Sequence, residues 1–395
     1  MTLTKKQEEA LNIAVARYKK REPYTCIAGY AGTGKSTLVK FIIAALKLNP
    51  EVDVFYCTFT GKAATVLRHK GCPNAMTAHK LLYYSKKLPN GKFLFRPKPT
   101  LDGFPRLIIV DEISMLPKDL WNLLLRHRVH VIACGDPEQL PPINKDSDNH
   151  VLDNPHIFLD QVMRQAEESE IIKLTMAIRE GKYIDAYKGT EVQVINESEV
   201  VDGMYHWADQ ILVATNRARH EINDYMRRAL GHLTPEPEVG EKIICCRNAW
   251  NVLDTKEEIA LVNCTIGYIE DIKAEVIDYE IAGVPEIPVY IINLRTENGE
   301  QFEDILIYQS SLLTGEKYLT PQEEYRLSQV AKNNPDIVVP LEFNYGYAIT
   351  CHRAQGSEWE KVLVFEEGFP FDKTEHRRWL YTACTRPSEK LVLVR

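Results

Sequence analysis

Residues 29 to 37 read Gly-Tyr-Ala-Gly-Thr-Gly-Lys-Ser-Thr, which satisfies the spacing G-x-x-x-x-G-K-[ST] in full. Glycines let a tight turn present successive backbone N–H groups to an anion, and the helix that follows adds the positive end of its dipole. Gly29, Gly32, Thr33, Gly34 and Thr37 would line such a cradle. Lys35 would reach the terminal phosphates, and the Ser36 hydroxyl would take a Mg²⁺ coordination position. The spacing therefore predicts binding of a nucleoside triphosphate. A glycine turn without chemical role is the competing reading, and the flanks oppose it: Tyr24 to Ala28 reads as a short buried strand, and Ser36 to Leu46 carries apolar residues at helical spacing.

A second apolar run, Leu107-Ile-Ile-Val110, ends in Asp111 and Glu112. Downstream of a phosphate loop this is where a metal-side carboxylate is needed. Asp111 is expected to hold Mg²⁺, directly or through water. Glu112 is expected to act as general base or to orient the attacking water. Two solvated strand-end acids are the alternative. A third run leads into Gly135-Asp-Pro-Glu-Gln-Leu-Pro-Pro142, where the sequence turns abruptly polar and rigid.

These groups need a parallel sheet to hold them. Apolar runs recur between helical stretches at Val54–Thr58, Leu107–Val110 and Val129–Cys134, then at Ile211–Ala214, Val362–Phe365 and Leu391–Val394. That alternation predicts parallel α/β structure, and the gap of roughly 75 residues between the two groups predicts two sequential domains. Leu88-Pro-Asn-Gly-Lys92 marks a projecting hairpin around Asn90-Gly91. From about Tyr268 to Pro340, branched and polar residues alternate around turn pairs such as Asn298-Gly299, which predicts a small β-rich insertion. It is acidic, with 14 acids against 5 bases between Glu270 and Asp336.

Composition narrows the class. At 395 residues and 45% hydrophobic content, the chain can build two or three cored domains. No apolar run approaches the ~20 residues of a membrane span, and the first residues lack a signal peptide's apolar core. Nine cysteines without a C-x-x-C pair read as reduced, mostly buried thiols, so a cytosolic setting is expected. The net charge of −7 hides an asymmetry. Residues 1–150 hold 23 Lys/Arg against 13 Asp/Glu, and the remainder hold 25 against 42. Between Lys62 and Arg106 there are ten bases and one acid, Asp102, interleaved with Tyr83, Tyr84, Phe93, Phe95 and Phe104. Cations that track phosphates and rings that stack bases at ~1–3 kcal/mol each are how single strands are held. A solvated face with some core aromatics is the other reading of that run.

Taken in order, Gly29–Thr37, Asp111-Glu-Ile-Ser-Met115 and Gly135–Pro142 resemble the superfamily 1 helicases, and within them the RecD/Dda-like branch, 1B. The similarity extends over most of the chain. Thr4-Lys-Lys-Gln7 resembles the family's adenine-reading Q motif, Thr58-Phe-Thr-Gly-Lys-Ala-Ala64 motif Ia and Thr77-Ala-His79 motif Ib. Arg164, in Leu159–Gln165, takes the place of the motif IV arginine. Tyr347–Ser357 resembles motif V, and Tyr381-Thr-Ala-Cys-Thr-Arg386 motif VI with Arg386 as arginine finger. Pro387 departs from the family, which usually has a small residue there.

The resemblance implies two tandem RecA-like P-loop domains, at 1–82 with 107–155 and at 156–267 with 341–395. It further implies a strand-separating pin at 83–106 and an SH3-like insertion at 268–340. ATP and Mg²⁺ are the implied cofactors. Gln7, Gln355 and Gly356 would join the nucleotide site, Gln139 would read the γ-phosphate, and Arg164 and Arg386 would clamp it. Thr58, Thr60, Lys62, Thr77 and His79, with Thr350, His352 and Arg353, would grip single-stranded DNA. Phe93 and Phe95 would stack at ss/dsDNA junctions. A monomeric 5′-to-3′ DNA helicase follows, with the acidic insertion guiding DNA or docking a replication or repair protein. An RNA helicase, a P-loop small-molecule kinase and a nonhydrolysing nucleotide-gated module are the rivals, and His79 and His352 also read as satisfied core histidines.

Overall fold

The computed structural model describes residues 3–87, 93–141, 148–163, 168–255, 260–297, 299–315, 318–334, 337–368 and 372–395. The chain divides into two compact units. One comprises Met1–Tyr83, Pro97–Asn216 and Thr350–Arg395, the other Tyr84–Arg96 and Arg217–Ile349.

The first unit holds two largely parallel sheets. In the first, the strands lie in the order Ala75–Thr77, Val54–Thr58, Leu107–Val110, His130–Gly135, Tyr24–Gly29 and Ile157–Leu159, all parallel. Alternate residues face opposite sides of a strand, so a sheet covered on both faces needs continuous apolar runs. Leu107 and Ile109 accordingly pack with Ile27, Ile132 and Leu38, while Ile108 and Val110 pack with Cys26, Val131 and Trp121. Helices Lys5–Lys19 and Lys35–Ala45 contribute to the first cluster, and Ala78–Leu82 and Lys118–Arg126 to the second. Each fully buried aliphatic chain is worth roughly 1.5–3 kcal/mol, so this packing fixes the strand order firmly. The consequence for chemistry is positional. Ala28 pairs with Gly135 and Val110 with Ala133, so the segments after all three central strands leave the sheet at one edge.

In the second sheet of this unit Gln210–Val213, Trp359–Phe365, Pro387–Val394 and Val192–Ile195 run parallel, and Tyr187–Lys188 pairs antiparallel with Val192–Ile195. Helix Glu170–Arg179 is tied to it through its first residue. The Glu170 carboxylate accepts the backbone N–H groups of Thr190, Glu191 and Val192 at 3.2, 2.8 and 2.9 Å. These bonds favour the charged form and hold its pKa down at about 2. Two parallel α/β sheets in succession are the arrangement expected of tandem RecA-like domains.

The second unit is dominated by antiparallel structure. Strands Gln301–Tyr308, Ile287–Thr296, Ile266–Ile277, Lys242–Cys245 and Phe343–Tyr345 lie side by side in that order. Tyr279, Ile287, Val289, Tyr308 and Leu327 form a core of their own. Glu241, fully buried, accepts from Arg227 at 2.6 Å, so neither charge is left unpaired. Tyr83–Lys87 pairs with Phe93–Pro97 as a two-stranded ribbon. The expected turn at Asn90-Gly91 and the side chains of Phe93 and Phe95 lie outside the described residues.

All nine cysteines are free thiols, and burial pushes Cys26, Cys57 and Cys351 up to about 12. No described helix is long and apolar enough to cross a membrane.

Candidate active site

The phosphate loop is built where strand Tyr24–Gly29 hands over to helix Lys35–Ala45. Gly34 caps that helix at φ 79°, ψ 28°, a left-handed conformation that costs a non-glycine residue roughly 1–2 kcal/mol. A Cβ there would lie 2.7 Å from Gln7 Nε2. Gln7 is 2% exposed, closes a capping box with Thr4, and donates from Nε2 to the Thr33 carbonyl at 3.2 Å. The predicted adenine reader therefore also braces the loop. Lys35 Nζ donates to the carbonyls of Gly29 at 2.6 Å and Tyr30 at 3.0 Å, within the loop it is expected to serve.

Asp111 and Glu112 line one cavity together with Ser36. Successive strand residues would point to opposite faces; the backbone at Glu112 instead turns left-handed, at φ 51°, ψ 54°. That conformation turns the Glu112 side chain into the cavity beside Asp111. Burial raises the pKa of both carboxyls. Lys35 opposes the shift at Asp111, and Arg386, with Nη1 3.6 Å from Glu112 Oε1, opposes it at Glu112. The cavity measures about 250 Å³ and also takes in Thr58, Thr60, Gly356 and Arg386. Ser36 and Asp111 supply a hydroxyl and a carboxylate, hard oxygen donors of the kind Mg²⁺ takes alongside nucleotide phosphates.

The C-terminal half of this unit closes on the same place. Arg386 is 5% exposed and is held by the carbonyls of Thr382 at 3.1 Å and Ser357 at 3.3 Å. Pro387 opens the following strand opposite Trp359, and the pairing slips by one residue before Lys390 meets Lys361, so the backbone is irregular just after Arg386. Gly356 adopts φ 75°, and a Cβ there would lie 3.2 Å from Glu112 Oε2 and 3.3 Å from Thr60 Oγ1. Gln355 Nε2 donates to the Leu140 carbonyl at 2.8 Å, fixing the segment that carries half-buried Gln139. Arg164 lies outside the described residues.

The expected strand-gripping residues divide. Thr60 and Thr77 cap short helices, accepting from the N–H groups of Ala63 and Lys80 at 3.2 Å each. Thr58 donates to the Thr60 carbonyl at 2.9 Å. Lys62 Nζ sits 4.4 Å from the Trp359 ring centroid, a cation–π contact between segments of the two α/β halves. His79 stacks on Tyr83 with centroids 6.0 Å apart. Burial lowers the pKa of His79 and of His352. Thr350 precedes the short helix Cys351–Ala354, which carries half-buried His352 and Arg353.

Three residues of the site were not singled out from sequence. Arg179 places its guanidinium 3.7 Å from the Tyr30 ring centroid, over the phosphate loop. Asp136 and Tyr381 meet in a buried hydrogen bond of 2.6 Å. The last two stand inside the recognised strings, which identified the segments but not the contact.

Residues 2–200 match the model of an AAA domain, and residues 345–394 match that of the UvrD-like helicase C-terminal domain. The ATP-dependent DNA helicase dda of Enterobacteria phage T4 is 27% identical over 267 aligned positions, covering 61% of this chain and 60% of the phage protein. The ATP-dependent RecD2 DNA helicase of Deinococcus radiodurans is 28% identical over 384 positions, covering 92% of this chain and 46% of the relative. The chain thus spans less than two thirds of either relative's length. Among solved structures, Pif1 helicase from Bacteroides in complex with ADP-AlF3 and ssDNA aligns over 100% of this chain and 92% of its own, with a TM-score of 0.54 and 18% identity. At that identity the likeness is one of fold.

Proposed function

The chain belongs to the AAA-domain family, and from that premise we propose that it is an ATP-driven motor that moves 5′ to 3′ along single-stranded DNA and opens duplexes at ss/dsDNA junctions. The observation that carries this reading is the cavity shared by Ser36, Asp111, Glu112 and Arg386, walled also by Thr60 of motif Ia and Gly356 of motif V. Hydrolytic groups and strand-gripping segments meet there.

In this reading, amides of Gly32 to Thr37 cradle the phosphates and Lys35 leaves the Gly29 and Tyr30 carbonyls for the terminal phosphate. Ser36 and Asp111 hold Mg²⁺, which neutralises charge on the phosphates when bound. Glu112 orients the attacking water and takes its proton, giving ADP and orthophosphate. Arg386 stabilises charge in the transition state, a role worth ~10³–10⁵ in rate. Gln139 senses the γ-phosphate, and Arg164 is assigned a second phosphate contact on the resemblance alone. Because a ligand shifts an equilibrium only by differential binding, the grips at Thr60, Lys62 and His79 and at Thr350, His352 and Arg353 must change affinity as the nucleotide changes. Lys62 on Trp359 and Arg386 beside Glu112 tie those two sets together.

The proposed division is motor domains at 1–82 with 107–155 and 156–267 with 341–395, a pin at 83–106, and an SH3-like insertion at 268–340. The acidic insertion would guide DNA or dock a replication or repair protein, and the motor would act as a cytosolic monomer. ATP turnover measured with no nucleic acid, with single-stranded DNA and with matched RNA tests the core of this. Strong stimulation by DNA alone is expected. Equal stimulation by RNA favours the RNA helicase, and indifference to both favours the small-molecule kinase.

A further inference from the structure

Tyr381 is 1% exposed and its hydroxyl serves two partners at once. It donates to Asp136 Oδ2 at 2.6 Å and accepts the backbone N–H of Ala31 at 3.0 Å. Ala31 belongs to the phosphate loop, Asp136 opens the segment that leads to Gln139, and Tyr381 rides on helix Lys373–Cys384, five residues before Arg386. The other carboxylate oxygen of Asp136 accepts the Glu138 N–H at 3.0 Å, which shapes that same turn. One residue on, Thr382 accepts the Leu140 N–H at 2.9 Å, and the Thr382 carbonyl holds Arg386 Nε. Thus a single phenol joins the loop that binds phosphate, the segment expected to sense it and the helix that delivers the arginine. The buried environment and Asp136 both push the phenol's pKa up, so it keeps its proton and remains a donor.

We infer that Tyr381 is a positioning residue for ATP hydrolysis, acting through Ala31 and Asp136 to register Gln139 and Arg386 against the phosphate loop. The inference rests on the motor reading above. Nucleotide in its ground state is held mainly by the amides of Gly32 to Thr37, which the phenol does not touch. The transition state additionally needs Arg386 and Gln139 in place, and small misplacements of such groups are costly. Loss of the hydroxyl therefore lowers kcat and spares KM.

The test is Tyr381→Phe, which removes one oxygen, in steady-state ATPase assays with saturating single-stranded DNA, well below the variant's melting temperature. A fall in kcat of roughly tenfold or more with KM changed by less than about threefold is expected, since the lost hydrogen bond runs to a charged group. Asp136→Ala approaches the contact from its other side and keeps the idea testable should either variant fold poorly. It should reproduce the loss, and the double variant should be no worse than the poorer single one within about twofold. Wild-type kcat in Tyr381→Phe, a parallel rise in KM, or additive losses in the double variant would overturn the inference. A wild-type chain that hydrolyses no ATP would instead remove the motor reading on which it stands.

Discussion

Glu112 shows how much of this site is set by one backbone conformation. A left-handed residue two positions past a strand brings its side chain into the cavity that Asp111 already faces, and burial there penalises the charged carboxylate unless a cation stands near. Arg386 is that cation. Glu112→Gln keeps the shape and removes the proposed base, so turnover should fall by about 10²–10⁴ while a fluorescent ATP analogue still binds within a few-fold of wild type. Normal turnover in this variant would move the role of base elsewhere. The sequence pointed to Lys35, Asp111 and Glu112 by type and spacing and to Gln139 and Arg386 through the family resemblance, yet it could not show that Lys35 lies on the Gly29 and Tyr30 carbonyls or that Tyr381 reaches across 245 residues to Asp136. A string fixes which residues stand in a segment, whereas their partners depend on packing.

At the level of elements, the strands that were legible are the ones buried on both faces. Val54–Thr58 and Leu107–Val110 read directly as apolar runs because helices cover both sides of their sheet. Ala75–Thr77 and Ile157–Leu159 are three residues each, too short to raise a periodic signal, and Trp359–Phe365 opens with buried Trp359 followed by exposed Glu360 and half-buried Lys361, which interrupt the apolar run and masked its start. Helix Glu170–Arg179 was equally silent about its anchor. Glu170 accepts three backbone N–H groups, which lowers its pKa from 4.5 to about 2. An acid whose pKa falls on folding adds stability that is present above the unfolded value and fades as the pH drops through the folded one. Glu170→Gln should therefore lower the melting temperature at neutral pH, and the gap from wild type should shrink as the pH falls below 4.5 toward about 2. A gap that does not depend on pH would mean that shape, and not the charge-favouring bonds, sets the effect.

For the whole molecule, the average charge of −7 conceals a basic first 150 residues and an acidic remainder, and the two parallel sheets stand in one compact unit that also holds the cavity lined by Ser36, Asp111, Glu112 and Arg386. A phosphate loop alone is compatible with kinases and motors alike. The proposed motor reading rests on what comes from the far end of the chain: Tyr381 reaches the loop at Ala31, and Arg386 and Gly356 stand beside Glu112 in the cavity that Ser36 shares. The most direct test is unwinding of duplexes that carry either a 5′ or a 3′ single-stranded tail, followed with ATP for the wild type and for Glu112→Gln. Opening of the 5′-tailed duplex by the wild type, with little opening of the 3′-tailed one and none by Glu112→Gln, is predicted. No opening of either duplex while ATP is turned over regardless of DNA would contradict the account.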